Sequence, residues 1–151
     1  MSYFYRAVDE RREETIEDLI DFLKPREHLF QAIAFRGLSG AMVAPIIAYV
    51  MGKKIIPVRK PKTDEDNHSG ATVEAPPFGN LVPAEERKIL IIDDFIASGK
   101  TVATIVKLIG NWDRRAECIG VLQYCRLDPV WNEWAIRPIK GSLEPAYWST
   151  L

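Results

Sequence analysis

Residues Lys88 to Thr101 read Lys-Ile-Leu-Ile-Ile-Asp-Asp-Phe-Ile-Ala-Ser-Gly-Lys-Thr. The run Ile89 to Ile92 has no polar face, which suits a central parallel strand covered on both sides. It delivers two adjacent carboxylates, Asp93 and Asp94, to its carboxyl end. A small turn containing Gly99 follows. Val102, Ile105, Val106 and Ile109 then recur at helical spacing, with Gly110 as the expected stop. Vicinal acids repel each other, so the pair is costly unless something uses it. In open α/β sheets, ligands sit outside the carboxyl ends of strands. The free N–H groups of a helix start favour an anion, phosphate in particular. Small residues let the backbone approach it closely, and carboxylates accept hydrogen bonds from sugar hydroxyls. These residue types describe a polyol on the acids and a phosphate on the turn.

The rest of the chain supplies an α/β frame for that segment. Ile16, Leu19, Ile20 and Leu23 give Glu13 to Leu23 one apolar helical face, which Pro25 and Arg26 should end. Leu29 to Phe35 reads as a buried strand that turns at Gly37. Met42 to Met51 reads as a helix ending at Gly52, with Pro45 in its first turn or at a kink. Lys54 to Val58 and Cys118 to Tyr124 read as two further strands. Strands alternating with helices imply a mostly parallel, twisted sheet with flanking helices. Between Arg59 and Arg87 lies a polar stretch well beyond the ~12–15 residues of ordinary loops, the mark of a disordered segment or an active-site lid. Within it, Ala71-Thr72-Val73-Glu74 suits one strand of a hairpin. The acidic run Asp64-Glu65-Asp66 and His68-Ser69-Gly70 lie in its middle. The tail from Leu127 differs in character, holding Trp131, Trp134, Tyr147 and Trp148.

At 151 residues the chain suits one domain spanning 1–151, with its core at about 28–125. A formal net charge of -1 supplies no basic field to attract nucleic acid. No apolar run approaches the ~18 residues of a membrane span. The first residues lack a signal core, so the expected location is cytoplasmic. Cys118 and Cys125 match neither a disulfide framework nor a zinc-ligand spacing, and read as buried free thiols.

Ile89 to Thr101 resembles the phosphoribosyl pyrophosphate signature of type I phosphoribosyltransferases: four apolar residues, two acids, two apolar residues, a variable position, then Thr/Ser-Gly-x-Thr. The resemblance implies a type I phosphoribosyltransferase-like fold with a small hood. It implies that Asp93 and Asp94 hold the ribose 2′ and 3′ hydroxyls, and that Ala97, Ser98, Gly99, Lys100 and Thr101 cradle the 5′-phosphate. Lys100 either adds charge there or points to solvent. Ala34 to Gly40 looks like the family's short pyrophosphate loop, which often holds a non-proline cis peptide. Arg36, Gly37, Leu38 and Ser39 would face the pyrophosphate, although a glycine turn after a strand is commonly only a turn. Arg59 and Lys60 fall where the family places basic residues at the end of the middle strand; they are pyrophosphate ligands or a solvated pair. The implied partners are phosphoribosyl pyrophosphate and a nitrogenous base. The implied cofactor is Mg2+, bound mainly through ligand oxygens with no direct protein ligand. A homodimer is also implied.

The resemblance covers about Phe30 to Tyr124. The hood falls to the N-terminal segment with Phe4 and Tyr5, to the tail 126–151, or to both, although these aromatics equally suit core or dimer packing. Ala97 stands where many 6-oxopurine enzymes carry an acid, which disfavours hypoxanthine and guanine and leaves adenine, orotate and other acceptors open. A non-catalytic nucleotide-binding module on the same fold is the alternative. A P-loop would need its first glycine at Asp94, and two acids before the loop would repel a triphosphate, which counts against that motif.

Overall fold

The structure, a computed structural model, describes residues 12–59, 72–93, 100–124 and 136–139. Along them run α1 (Arg12–Leu23), a 3-10 helix (Lys24–Leu29), β1 (Ala32–Arg36), α2 (Gly37–Met51) and β2 (Lys54–Arg59). There follow β3 (Thr72–Val73), a 3-10 helix (Ala84–Glu86), β4 (Lys88–Asp93), α3 (Lys100–Trp112), β5 (Glu117–Gln123) and β6 (Ile136–Pro138). The six strands form one sheet in the order β3-β2-β1-β4-β5-β6. Strands β2, β1, β4 and β5 are mutually parallel, and the short edge strands β3 and β6 are antiparallel to their neighbours. Pro138, which has no N–H, sits in edge strand β6, where a ladder tolerates that loss.

Both faces of the sheet are covered. Ile33 and Phe35 of β1, Leu90 and Ile92 of β4, and Leu122 of β5 pack with Ile16, Leu19 and Leu23 of α1 and with Val43, Ala44 and Ile47 of α2. The alternate strand residues Ala32, Ala34, Ile56, Val58, Ile89, Ile91 and Val121 pack with Val102, Ile105 and Ile109 of α3. Fully burying one Leu or Ile contributes roughly 1.5–3 kcal/mol. These two layers therefore outweigh any single surface contact in fixing the strands. No helix among the described residues is long and apolar enough to cross a membrane.

Several boundaries differ from the sequence expectation, each for a local reason. Helix α2 starts at Gly37, directly off β1, so Pro45 lies in the helix interior rather than its first turn. The missing N–H at Pro45 forfeits the bond to the Ala41 carbonyl, a cost of about 3 kcal/mol, and the burial of Val43, Ala44, Ile47 and Ala48 opposes it. Gly52 ends α2 as expected, in the left-handed conformation at φ 65°. The chain continues past Pro25 as a 3-10 helix. Strand β1 begins only at Ala32, because Lys53 Nζ draws the Glu27 and Phe30 carbonyls together at 2.6 and 2.8 Å. Gly110 does not stop α3, which runs on to Trp112. The Trp112 indole donates to the Ala75 carbonyl at 3.0 Å and packs near Phe78, so tertiary contact extends the helix. The tail contributes β6, which its sequence pattern did not indicate.

The polar stretch after β2 is not structureless throughout. β3 pairs with β2 through Val58 with Val73 and Arg59 with Thr72, as the hairpin reading expected; residues 60–71, including Asp64 to Asp66, lie outside the described residues. Beyond it, 74–87 is fastened to the body through Arg87, which is 1% exposed. Its guanidinium donates to the Val82 and Gly79 carbonyls at 2.8–2.9 Å and forms an ion pair with Asp113. Burial alone would raise the Asp113 pKa. Hydrogen bonds from the Arg115 backbone N–H and the Arg87 side chain, with the charges of both arginines, outweigh that and hold it below the usual value. Cys118 is a buried free thiol, pushed up to about 12 by burial first and the Glu117 charge second. Cys125 lies outside the described residues.

Removing one member of a buried ion pair strands the other. Arg87→Ala should therefore lower unfolding free energy by about 3–5 kcal/mol in urea titrations. Asp113→Asn supplies the pH sign. A carboxyl with a depressed folded-state pKa stabilises above its unfolded value of about 4 and loses that contribution as pH falls through the folded value. The stability gap between wild type and Asp113→Asn should hold from neutral pH to about 5 and shrink below about 4.

Candidate functional site

Helix α2 carries the chain from β1 outward to β2, whereas α3 carries it from β4 outward in the other direction to β5. The strand order therefore reverses between β1 and β4. Such a reversal opens a crevice at the carboxyl ends of the two strands, where ligands of open α/β sheets bind. β1 ends at Arg36 and β4 at Asp93. Each lies two residues beyond the registered pair Ala34 and Ile91. Both continue the alternation that turns Ala32, Ala34, Ile89 and Ile91 toward α3. The crevice thus places a cation and a carboxylate on one face, at neighbouring strand ends.

Both flanking helices begin at this crevice. Helix α2 starts immediately after Arg36, which makes no side-chain cap, and its first turn contains no acid. Its leading N–H groups are donors of the kind that take an anion. Gly37 has φ 81°, a conformation that disfavours any other residue. At Gly40 a Cβ would meet the Phe35 Cβ at 2.9 Å, so glycine is what lets α2 lie this close to β1. Arg36 is half-buried, and its Nε is buried with no hydrogen-bond partner. A buried donor left unsatisfied is costly, and a ligand acceptor would relieve it. Leu38 is 65% exposed. Asp93 is 7% exposed. Lys100 and Thr101 open α3, with Thr101 exposed.

The structure places Arg36 at the end of β1, Gly37 and Leu38 at the start of α2, and Asp93 at the end of the neighbouring strand β4. Asp94, Ala97, Ser98, Gly99, Lys60 and the side chains of Ser39 and Lys100 lie outside the described residues, as do Phe4, Tyr5, Trp131, Trp134, Tyr147 and Trp148. Arg59 stands at the end of β2, one strand further out. Its Nε is 3.0 Å from Glu74 Oε1, which also accepts from Thr72 Oγ1 at 2.9 Å. The Arg59–Glu74 pair is about half exposed on each side, so an anion can compete for Arg59. All peptide bonds among the described residues are trans. No cluster of three or more metal-ligating side chains occurs among the described residues. Gln123, which the sequence reading did not single out, is 3% exposed at the end of β5 and in register with Asp93. The signal was available: it is the first amide after an apolar run.

Solved structures that share this architecture include several phosphoribosyltransferases. An adenine phosphoribosyltransferase from Thermoanaerobacter pseudethanolicus matches with TM-score 0.51 and 22% identity over 72% of this chain and 64% of its own. One from Trypanosoma brucei, in complex with AMP, pyrophosphate and ribose-5-phosphate, matches with TM-score 0.54 and 18% identity over 78% of this chain and 52% of its own. An orotate phosphoribosyltransferase from Aeropyrum pernix matches with TM-score 0.55 and 17% identity over 78% of this chain and 62% of its own. The chain thus spans less than two thirds of these enzymes' length. No protein-family model matches the sequence, and no curated protein is detectably similar to it. The fold is that of known type I phosphoribosyltransferases, a mostly parallel sheet with flanking helices.

Two glycine substitutions test the α2 start. Gly37→Ala forces a left-handed alanine and should cost about 1–2 kcal/mol of stability. Gly40→Ala overpacks against Phe35 and should cost about 1–3 kcal/mol. Chemical denaturation of each variant measures both.

Proposed function

We propose that this chain is a phosphoribosyltransferase that moves the 5-phosphoribosyl group of phosphoribosyl pyrophosphate to a nitrogenous base, acting in the cytosol. The observation that carries the reading is the meeting of Arg36-Gly37 and Asp93 at the strand-order reversal, on a fold shared with such enzymes. In this reading Asp93 and Asp94 accept hydrogen bonds from the ribose hydroxyls. Ala97 to Thr101 receive the 5′-phosphate at the start of α3. Arg36 and the leading N–H groups of Gly37, Leu38 and Ser39 receive the pyrophosphate. Arg59 and Lys60 reinforce them once Glu74 is displaced.

The bond from C1′ to the pyrophosphate oxygen breaks, and the pyrophosphate leaves with the electron pair. A bond from C1′ to the base nitrogen forms on the opposite face, and the proton that nitrogen carried passes to water or to the departing pyrophosphate. Positive charge builds on the sugar ring, where the two carboxylates stabilise it. Negative charge builds on the leaving group, where Arg36 and the backbone donors are aimed. The carboxylate oxygens of this site fit a hard cation. Magnesium, bound mainly through the substrate's own oxygens, would neutralise part of the leaving group's charge. Adenine is the first acceptor to try, since adenine enzymes recur among the similar structures. Exposed Leu38, Ile46, Tyr49 and Val50 on α2 offer a surface for a homodimer.

A second reading, a phosphoribosyl-binding module without transfer, draws on one observation: Arg59 is already engaged by Glu74. Incubation with phosphoribosyl pyrophosphate, Mg2+ and a panel of adenine, orotate, hypoxanthine and guanine separates the two. Pyrophosphate release with one base supports transfer, and saturable binding with no release across the panel supports the module. Asp94→Asn should keep the wild-type melting temperature and lose about 10²–10³-fold in turnover, the scale on which a charge-stabilising group acts. Wild-type rates in that variant would remove the acids from the chemistry.

A further inference from the structure

Three adjacent parallel strands each end in a polar residue on the α3 side of the sheet: Arg36 on β1, Asp93 on β4 and Gln123 on β5. The first two belong to the site already described. Gln123 has no place in it so far. Its position follows from the β5 pattern. Val121 packs on the α3 side, and Leu122 and Tyr124 pack on the opposite side, so Gln123 returns to the α3 side. It is registered directly against Asp93, and the Tyr124 N–H donates to the Asp93 carbonyl at 3.0 Å, which locks the two strand ends together. The residues below it on this face, Ile89, Ile91 and Val121, are all apolar and fully buried. Burying an amide is favourable only when its hydrogen bonds are met.

We infer that Gln123 is a positioning residue of this site, acting through Asp93. Its side-chain N–H donates to the Asp93 carboxylate and fixes the direction in which the remaining oxygen lone pairs meet the ribose hydroxyls. The residue type suits that role. A lysine at 123 would pair with Asp93 and neutralise it, and a carboxylate would repel it. An amide orients the acid and leaves its charge for the sugar. The inference rests on the assignment of Asp93 to the ribose.

Two measurements decide it. The first needs no ligand: in the wild-type chain the Gln123 side-chain amide protons should be shifted downfield in the NMR spectrum, and Asp93→Asn should move them. The second is a double-mutant cycle on the dissociation constant of magnesium phosphoribosyl pyrophosphate. Gln123→Leu should weaken binding about tenfold in the wild-type background and no more than about twofold beside Asp93→Asn, the mark of a coupled pair. A Gln123 amide signal indifferent to Asp93→Asn overturns the inference, as does equal weakening in both backgrounds. Should the wild-type chain bind no phosphoribosyl pyrophosphate, the functional reading fails by itself. The amide signal still tells whether Gln123 touches Asp93.

Discussion

Parallel pairing of β1 with β4, from Ala32 with Ile89 to Ala34 with Ile91, is the contact on which the site depends. Neither strand is amphipathic, since both lie between two layers of helices. Register is therefore held by shape rather than by a polar face. Ala32 and Ala34 are small and lie on the α3 side, whereas Ile33 and Phe35 are large and lie under α2. A slip of one residue would exchange these two sets and turn every side chain to the other face. It would also carry Arg36 and Asp93 to opposite sides of the sheet. Packing of ordinary aliphatic side chains thus decides whether a cation and an acid share a crevice.

A buried polar anchor lies at the opposite end of the strands. Arg87 directly precedes β4, and its carbonyl accepts from the Glu117 N–H at the start of β5 at 3.0 Å. Its guanidinium ties 79–82 and Asp113 to that point, and Trp112 ties Ala75. The Arg87–Asp113 pair thus lies where the strands enter, whereas Arg36, Asp93 and Gln123 lie where they exit. A buried arginine is costly to desolvate, and only complete hydrogen bonding offsets that cost. Here carbonyls and a carboxylate take donations from Nε and both terminal nitrogens.

At the exits, polar groups are less completely served. The Arg36 Nε has no partner, and α2 begins without a side-chain cap. Arg59 contrasts with it. Glu74 already balances its charge at the sheet's edge, in solvent. Two arginines that look equivalent in sequence therefore differ in electrostatic availability. Arg36 offers an unsatisfied donor in a half-buried position, where an anion gains most from it.

Much was legible from sequence because local chemistry reports it. Four apolar residues before an acid marked β4 and the carboxylate of Asp93 at its carboxyl end. The spacing of Val102, Ile105 and Ile109 fixed α3, and Gly52 marked the end of α2. Less was legible wherever a distant contact overrules local preference. Trp112 carries α3 past Gly110 by reaching Ala75, and Pro45 sits mid-helix because α2 is buried along one side. The face on which Asp93 lies was unreadable, because a strand apolar on both sides carries no alternation to read. Gln123 was legible as the first amide after an apolar run, but its neighbour was not, since that depends on which strand lies beside β5. Sequence specifies which groups a strand end presents, since that is covalent. Only the tertiary structure decides which ends stand side by side, since strand order and register arise from packing between segments far apart in the chain.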